Sequence, residues 1–240
     1  MPDLNIMAAL VCHLRVEDEI ATVEIARMPL ALVTCGPAYE PIDKVRRITN
    51  QSTGELGSLL SEALARANFE VLCLRGEMAV HPKPRDVNVV PFTTNASLLT
   101  LLERVPTQPA AVFHAAALCD FLVHEIEGSD RESKISSSVS ELRLILRPAE
   151  KLLPRLRRLF PTAIIVGWKY ELDSSREDAV ARALEQLDSA HTNACVVNGT
   201  SYGAGFGFLA RGSKRARHLE TKIELCRFLC DWTTKTLRGL

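Results

Sequence analysis

The stretch from Cys35 to Gly57 contains the residues of this chain that are best suited to hold an anion. It follows an apolar run, Leu30 to Thr34, and leads into a helical pattern. Between them lies a polar loop with glycine, serine and threonine, which also carries a basic triplet: Lys44, Arg46 and Arg47. A loop of this kind at a helix start presents free backbone N–H groups and the positive end of the helix dipole to the same point. The stretch therefore predicts an anion-binding site.

Apolar runs alternate with helical patterns from this stretch onward, which predicts the elements that must position the loop. The predicted strands are Leu30–Thr34, Phe69–Leu74, Val87–Val90, Ala110–Ala117, Glu141–Arg147, Ala163–Trp168, Asn193–Asn198 and Phe206–Leu209. The predicted helices are Gly57–Asn68, Ala96–Arg104, Pro148–Phe160, Arg176–Ser189 and Arg217–Leu237. This alternation indicates an α/β fold of the doubly wound, Rossmann-like type, with a mostly parallel sheet covered by helices on both faces.

The chain reads as one domain, residues 30–240, preceded by a segment, residues 1–29, to which the sequence assigns no function. Local signals set several boundaries within the domain. Pro91 is expected to stop a strand, Asn95 to cap the next helix, and Pro154 to kink or split a later one. The polar run from His124 to Ser140 predicts an exposed, mobile loop.

Composition narrows the class of protein. The 240 residues are 47% hydrophobic and 24% charged, with a formal net charge of +0, so nothing in the overall charge favours nucleic acid or an acidic membrane surface. The seven cysteines include no CxxC pair, and no signal peptide is recognisable, which favours a reducing cytoplasm. No apolar run reaches the roughly 20 residues that a membrane-spanning helix needs.

Polar and aromatic residues follow three of the predicted strands, at the edge where a parallel sheet binds its ligands. Asp120 and Phe121 follow one strand, Trp168 and Lys169 end another, and Asn198 ends a third. Aromatic rings can stack on a base, and carboxylate or amide groups can bond hydroxyls or base edges. Together with Gly36 after the first strand, these residues predict a nucleotide site.

Each of these residues also has a purely structural interpretation. Asp120 is as suited to capping a turn as to binding a ligand. Trp168 can line the core, and Lys134 can lie on a solvated loop without any contact to a ligand. The glycines at 203, 205 and 207 follow a strand but lead into no helix, so they do not form a dinucleotide fingerprint. The scattered histidines predict no metal site built from protein side chains, and no Ser-His-Asp or Cys-His arrangement stands out.

Taken together, the motifs resemble those of the phosphopantothenate–cysteine ligases, also called phosphopantothenoylcysteine synthetases. The long match is EPIDxVRxITNxSTGxxG, from Glu40 to Gly57. Shorter similarities are AAALCDF from Ala115 to Phe121, the lysine loop at Lys134, WKYE from Trp168, and the VVN strand end at Asn198. The motifs occur in the family's order over about residues 30 to 200.

This resemblance implies a modified doubly wound domain, usually a homodimer, that joins 4′-phosphopantothenate to cysteine in coenzyme A synthesis. The substrate carboxylate would attack the α-phosphate of ATP or CTP in the presence of Mg²⁺, giving an acyl-nucleotidylate and pyrophosphate. The cysteine amine would then displace the nucleotide. A separate flavin-dependent decarboxylase is a further candidate partner, since only 29 residues precede the match.

The resemblance also implies roles for individual residues. Asn50 and Lys134 would be catalytic, and Arg46 and Arg47 are candidates for the substrate phosphate. The residues expected to bind nucleotide or phosphate are Gly36, Ser52, Thr53, Gly54, Gly57, Ala116, Asp120, Phe121, Trp168, Lys169 and Asn198.

The chain departs from the family pattern in two places. The usual Gly-Gly-Thr is here Gly36-Pro37-Ala38, which removes an N–H and a hydroxyl from the expected phosphate loop. The lysine-rich loop of the CTP-using branch is here Lys134-Ile135-Ser136, which favours ATP. Two hypotheses therefore stay open: an active ligase, or a ligase-like nucleotide-binding protein with lost or altered activity. A nicotinamide-dependent oxidoreductase, suggested by fold class alone, ranks last because its fingerprint is missing.

Overall fold

The computed structural model describes residues 28–127, 134–136, 138 and 140–239 of the chain. The expectation for the N-terminal segment concerns residues 1–29 and lies almost wholly outside the described residues. From Leu30 onward, the elements form one large sheet with helices on both faces, which confirms the predicted fold class.

The large sheet has eight strands in the order β12-β11-β10-β9-β6-β1-β4-β5. Its strands are β1 Leu30–Cys35, β4 Glu70–Gly76, β5 Asn88–Phe92, β6 Ala111–His114, β9 Ile164–Tyr170, β10 Ala194–Asn198, β11 Phe206–Ala210 and β12 Arg217–Leu219. Six neighbouring strands run parallel, and β11 and β12 complete one edge in antiparallel pairing. Two short antiparallel pairs stand outside it: β2 Tyr39–Pro41 with β3 Arg47–Thr49, and β7 Phe121–Ile126 with β8 Leu144–Pro148.

Five helices cover the sheet: α1 Glu55–Arg66, α2 Asn95–Glu103, α3 Leu153–Leu159, α4 Arg176–Ser189 and α5 Lys222–Leu237. Side chains alternate along the central strands, so Val33 packs towards α1 and α5 while Leu32 packs towards α2 and α3. Helix α4 packs against β10 on the same face of the sheet as α2 and α3. Because β1 is buried on both faces, its sequence is a continuous apolar run rather than an alternating one.

Three local expectations about prolines and caps are wrong. Strand β5 continues through Pro91, because β5 is the last strand of the sheet and Pro91 lacks a donor only on the unpaired side. Thr94, not Asn95, caps α2, through a capping box with Ser97. Pro154 lies in the first turn of α3, where its missing N–H breaks no helical bond.

Two further expectations fail because strands were hidden in polar sequence. Residues 124–126 belong to β7, so the predicted loop from His124 to Ser140 begins as half of a hairpin. Residues 217–219 form the edge strand β12, and the terminal helix begins only at Lys222. Neither segment shows the apolar run that marks the central strands, because each lies at an edge or outside the main sheet.

Within the part of the chain that the structure describes, no helix combines the length and the apolar character needed to cross a membrane.

Candidate functional site

The switch in strand order lies between β1 and β6. The chain leaves β1 towards β4 and β5, then returns to place β6 on the other side of β1. Loops that follow β1 and β6 therefore diverge and leave a crevice at the carboxyl edge of the sheet. The loop with the predicted anion site follows β1, and the segment from Ala115 to Asp120 follows β6.

Two glycines form a backbone cradle at this edge. Gly36 and Gly54 both have φ of +76°, in the left-handed region that favours glycine. A Cβ added to Gly36 would lie 2.7 Å from the Ala79 Cβ, and one added to Gly54 would lie 2.8 Å from the same atom. Gly54 caps α1 without any side-chain hydrogen bond to the helix start. Because Gly54 offers no side-chain oxygen, the first-turn N–H groups of α1 suit an anion, apart from the Glu55 N–H, which donates to Thr53 Oγ1.

Gly57, expected among the phosphate-binding residues, has a packing role. A Cβ at this position would lie 2.1 Å from the Cβ of Cys35, closer than any two such atoms approach. The absence of a side chain lets the first turn of α1 rest directly on the end of β1. Gly57 therefore fixes where the start of the helix lies.

Asn50 lies against the segment that follows β6. Its amide Nδ2 donates to the carbonyl oxygen of Leu118 at 2.7 Å, and its side chain is otherwise exposed. Asn95 holds the neighbouring residue from the other side: its Nδ2 donates to the Cys119 carbonyl at 2.8 Å and its Oδ1 accepts from the Cys119 N–H at 3.1 Å. The structure thus brings the loop of Asn50 against the segment that follows β6. It also shows that Asn95 holds the backbone of Cys119 in that segment, a role that its sequence context does not reveal.

Pro37 and Ala38, where the chain departs from the family pattern, lie in a segment whose backbone pairs with that of Ala117. Ala117 donates its N–H to the Gly36 carbonyl at 3.0 Å, and the Ala38 N–H donates to the Ala117 carbonyl at 2.9 Å. Pro37 takes part in neither bond with an N–H, so its ring costs the pairing nothing. The Ala38 side chain is fully buried in the core on the α2 side. A threonine there would place a hydroxyl in apolar surroundings.

A buried pair of side chains, Thr34 and His114, lies at the strand ends next to the cradle. Thr34 Oγ1 lies 2.7 Å from His114 Nδ1, and the Ala116 N–H donates to the same hydroxyl at 3.4 Å. Burial lowers the pKa of His114 to about 4, so the imidazole is neutral near pH 7. Neither residue was expected to matter from sequence, because the pairing joins two strand ends that are far apart in the chain.

Asp43 ties the predicted lysine segment to the first loop. Its Oδ2 accepts from the Ile135 N–H at 3.1 Å and from Arg46 Nη1 at 2.6 Å, and Arg46 also donates to the Ile135 carbonyl at 3.2 Å. Ile135 is buried, with Val123 among its neighbours, while Lys134 beside it is exposed. The catalytic candidate Lys134 is thus held next to the loop that carries Asn50.

The Asp43 carboxyl has a strongly perturbed pKa. Burial alone would raise it, but backbone N–H donors of Val45, Ile135 and Arg46, together with the Arg46 charge, lower the pKa from 3.8 to about 2. A carboxyl whose pKa is lowered by folding stabilises the folded state above its unfolded pKa and loses that contribution as the pH falls towards its folded pKa.

We therefore expect the Ile135 amide to lose protection from hydrogen exchange between the ordinary value of 3.8 and about pH 2. Asp43→Asn should expose the same amide already at pH 7, because it replaces an acceptor of several N–H donors with a neutral amide. Asp178→Asn, at the start of α4, is the matched control and should leave Ile135 unchanged. Equal Ile135 protection in Asp43→Asn and the parent would contradict this assignment.

The residues that end β9 and β10 lie at the same sheet edge. Trp168 packs partly buried against the core on the α1 side, and its indole Nε1 is buried without a hydrogen-bond partner among the described residues. Lys169 pairs with Glu171 at 3.1 Å, so its charge is already neutralised in part. Asn198 follows Val197 at the end of β10, in register with Tyr170.

The other predicted residues are divided between the cradle and the hairpin. Thr53 Oγ1 accepts from the Glu55 N–H at 3.3 Å, and Ser52 stands beside it. Asp120 forms an ion pair with Lys151 at the surface. Phe121 is 54% exposed at the start of β7. Asp120 and Phe121 therefore belong to the base of the β7–β8 hairpin, with Asp120 engaged by another side chain.

Arg46 and Arg47, the candidates for a substrate phosphate, differ in their contacts. Arg46 is held by Asp43 and by the lysine segment. The Arg47 guanidinium, on the exposed strand β3, stacks over the ring of Tyr39, 4.4 Å from its centroid. Arg47 is therefore the freer of the two for contact with a ligand.

Sequence comparisons place the chain among proteins of known type. A sequence model described as the DNA/pantothenate metabolism flavoprotein C-terminal domain matches residues 28–222. The chain is 31% identical over 170 residues to the coenzyme A biosynthesis bifunctional protein CoaBC of Methanocaldococcus jannaschii, covering 71% of this chain and 40% of that protein. It is 30% identical over 177 residues to a cysteine/cysteine sulfinic acid decarboxylase of an unknown prokaryotic organism, covering 73% and 47%.

A structural comparison gives the same fold. The crystal structure of the DNA/pantothenate metabolism flavoprotein from Streptococcus pneumoniae superposes with a TM-score of 0.76, covering 87% of this chain and 99% of that chain, at 22% identity. This likeness shows a shared fold. The chain spans about half the length or less of the curated relatives described above.

Proposed function

The chain belongs to the DNA/pantothenate metabolism flavoprotein C-terminal domain family, and we propose that it is a ligase that joins 4′-phosphopantothenate to cysteine in coenzyme A biosynthesis. Relatives that carry the name coenzyme A biosynthesis bifunctional protein support the proposal. In the proposed reaction, the substrate carboxylate displaces pyrophosphate from the α-phosphate of ATP or CTP. The cysteine amine then attacks the activated carbonyl, and the nucleoside monophosphate leaves.

One observation carries the proposal: Asn50 meets the segment after β6 beside the cradle of Gly36 and Gly54. The start of α1, where Gly54 provides no side-chain cap, suits the phosphates of the nucleotide, with Ser52 and Thr53 as hydroxyl donors nearby. The exposed face of the Asn50 amide suits the acyl oxygen of the activated acid. Preorganised donors of this kind act where negative charge develops.

The remaining roles follow from position and charge. Lys134, fixed beside this loop through Ile135, would neutralise charge as the reaction proceeds. Arg47, and Arg46 where it is not engaged by Asp43, would hold the phosphate of the acid substrate. Trp168 would stack on the base.

The other nucleotide-binding candidates keep smaller roles in this proposal. Asn198 and Asp120 would hold the ribose or the base, with Lys169, Phe121 and Ala116 lining the crevice. The unpaired Trp168 indole N–H and the cradle that a Cβ would fill both fit a bound ligand.

Mg²⁺ would neutralise part of the triphosphate charge when bound. Across residues 28–127 and the described residues after them, no three histidine, cysteine, aspartate or glutamate side chains cluster as a metal site. The proposal therefore places Mg²⁺ on oxygen atoms of the nucleotide, as is usual for this ion.

The proposal also includes a homodimer. Four apolar side chains of the β7–β8 hairpin are exposed by at least a third: Phe121, Leu122, Ile145 and Leu146. A second copy packed on this hairpin would cover them.

The six cysteines of the described residues are all free and buried, which suits the reducing cytoplasm proposed as the location. A separate flavin-dependent decarboxylase that takes up the product stays a predicted partner.

The test is a turnover assay with 4′-phosphopantothenate, cysteine, Mg²⁺ and either ATP or CTP. We expect pyrophosphate release and the ligated product, detected by mass spectrometry, with at least one nucleotide. Unphosphorylated pantothenate is the matched control substrate and should react far more slowly. Nucleotide-dependent thermal stabilisation without pyrophosphate release would instead support the second hypothesis, a ligase-like protein that binds nucleotide but has lost the reaction.

A further inference from the structure

Arg75, at the end of β4, is a buried cation without a carboxylate partner in the part of the chain that the structure describes. Its exposed fraction is 6%. Among the described residues, no aspartate or glutamate lies within salt-bridge distance of its guanidinium. Its Nε is buried and makes no hydrogen bond. Burying an uncompensated charge is costly, so a residue of this kind calls for a physical reason.

The guanidinium holds a loop in place. Arg75 Nη2 donates to the Ala79 carbonyl at 2.8 Å and also to the His81 carbonyl. Both bonds use the hydrogens of one nitrogen, which the plane of the guanidinium holds in fixed directions, whereas an ammonium on a flexible stem has no such fixed plane. Residues 79–81 are thereby fixed against the end of β4.

That loop forms the back wall of the glycine cradle. The Ala79 methyl group packs against the backbone of both Gly36 and Gly54. The His81 N–H donates to the Thr53 carbonyl at 3.0 Å, immediately before the start of α1. Three hydrogen bonds and the packing of the Ala79 methyl group therefore link Arg75 to the place where the nucleotide phosphates are proposed to bind.

Two thiols lie near Arg75, while Glu77 and Lys83 line the same cavity as its side chain. Cys35 and Cys73 lie with their Sγ atoms 3.7 Å apart, and the register of β1 with β4 puts both on the same face of the sheet. The hydrogen bond from Cys35 lowers the pKa of Cys73, and the charge of Arg75 acts in the same direction. The thiol of Cys73 is thus the competing partner for the buried cation.

Resting on the proposed function, we propose that Arg75 is a positioning residue for nucleotide binding. It fixes residues 79–81 behind the cradle, and its uncompensated positive charge favours the triphosphate. The nucleotide phosphates are then the negative charge that this cation lacks within the described protein.

The test compares Arg75→Met, which removes charge and donors, with Arg75→Lys, which keeps the charge but loses the planar guanidinium. Arg66→Met, on the exposed end of α1, is the matched control. The dissociation constants of Mg²⁺-ATP and Mg²⁺-CTP are measured by calorimetry at low and high salt, alongside KM and kcat. Circular dichroism checks that each variant is folded.

We expect Arg75→Met to weaken affinity for the bound nucleotide at least about tenfold and to reduce its salt dependence, with kcat at saturation within about threefold of the parent. Arg75→Lys should recover part of the affinity, and Arg66→Met should bind as the parent does. If Arg75→Met does not fold, Arg75→Lys decides: weaker binding supports the proposal, and unchanged binding overturns it.

Parental nucleotide affinity in folded Arg75→Met would overturn the inference while leaving an active ligase untouched. The same loss of affinity in Cys73→Ala would overturn it too, because the thiol would then be the partner that matters. A parent protein that binds nucleotide without ligating would contradict the proposed function alone. A parent that binds neither nucleotide would overturn both.

Discussion

Replacing Asn50 with alanine is expected to lower kcat for ligation by about 100- to 1,000-fold, the usual cost of removing one donor aimed at developing negative charge. The residue lies where the loop after β1 meets the segment after β6, and its amide is already oriented by the Leu118 carbonyl. Little rearrangement is then needed to present the remaining amide hydrogen to a substrate. Affinity for nucleotide should change little, since the cradle of Gly36 and Gly54 does not depend on this side chain.

The measurement is steady-state pyrophosphate release at saturating substrates, together with calorimetric nucleotide binding. Gln51→Ala removes the neighbouring exposed amide and is the matched control, expected to retain the parental kcat. A kcat for Asn50→Ala within about threefold of the parent would be incompatible with a charge-stabilising donor at this position.

Replacing Gly57 with alanine is expected to destabilise the protein by roughly 2 kcal/mol and to abolish detectable nucleotide binding. The new Cβ would lie 2.1 Å from the Cys35 Cβ, so the first turn of α1 must move away from β1. Alanine favours a helix by about 1 kcal/mol over glycine, and this gain offsets only part of the steric cost. The turn that moves is the one proposed to contact the phosphates. We therefore expect nucleotide affinity to fall by more than the free energy of unfolding does.

Thermal melting and calorimetric titration with Mg²⁺-ATP and Mg²⁺-CTP measure the two effects. The melting temperature should fall by about 2–4 °C for each kcal/mol in a chain of this size. Arg66→Ala, in the last turn of the same helix, should affect neither quantity substantially. Cys35→Gly in the Gly57→Ala background removes the clashing atom and should restore part of the binding. A Gly57→Ala protein that melts and binds like the parent would refute the packing role.

The fold was largely predictable because its central strands are buried on both faces. The runs that begin at Leu30 and Ala163 are almost entirely apolar. The helices between them place apolar residues on one face with the helical period, as in α1. The elements that were missed lie at the margins. Strand β12 and the start of β7 carry polar or exposed side chains, so their pairing partners, rather than their composition, make them strands.

The site was predictable only where its chemistry lies in one segment. The loop around Asn50 and the Gly-rich start of α1 are contiguous, so their residue types could indicate an anion site. The contacts that support them are not contiguous: Thr34 with His114, Asp43 with Ile135, and Arg75 with the loop behind the cradle. Residue patterns along the chain carry no signal for which distant loop will stand behind a binding site.

The central position of β1 has a consequence for how this site comes into existence during folding. Residue 30 pairs with residue 70, and residue 31 with residue 111, so both sides of the cradle strand are completed by distant parts of the chain. Pairings across long loops form late, because loop closure must precede any gain from contact. We therefore expect the binding crevice to form late in folding. A ligand that fits it will act chiefly by slowing the unfolding of the finished protein and will do little to speed its assembly.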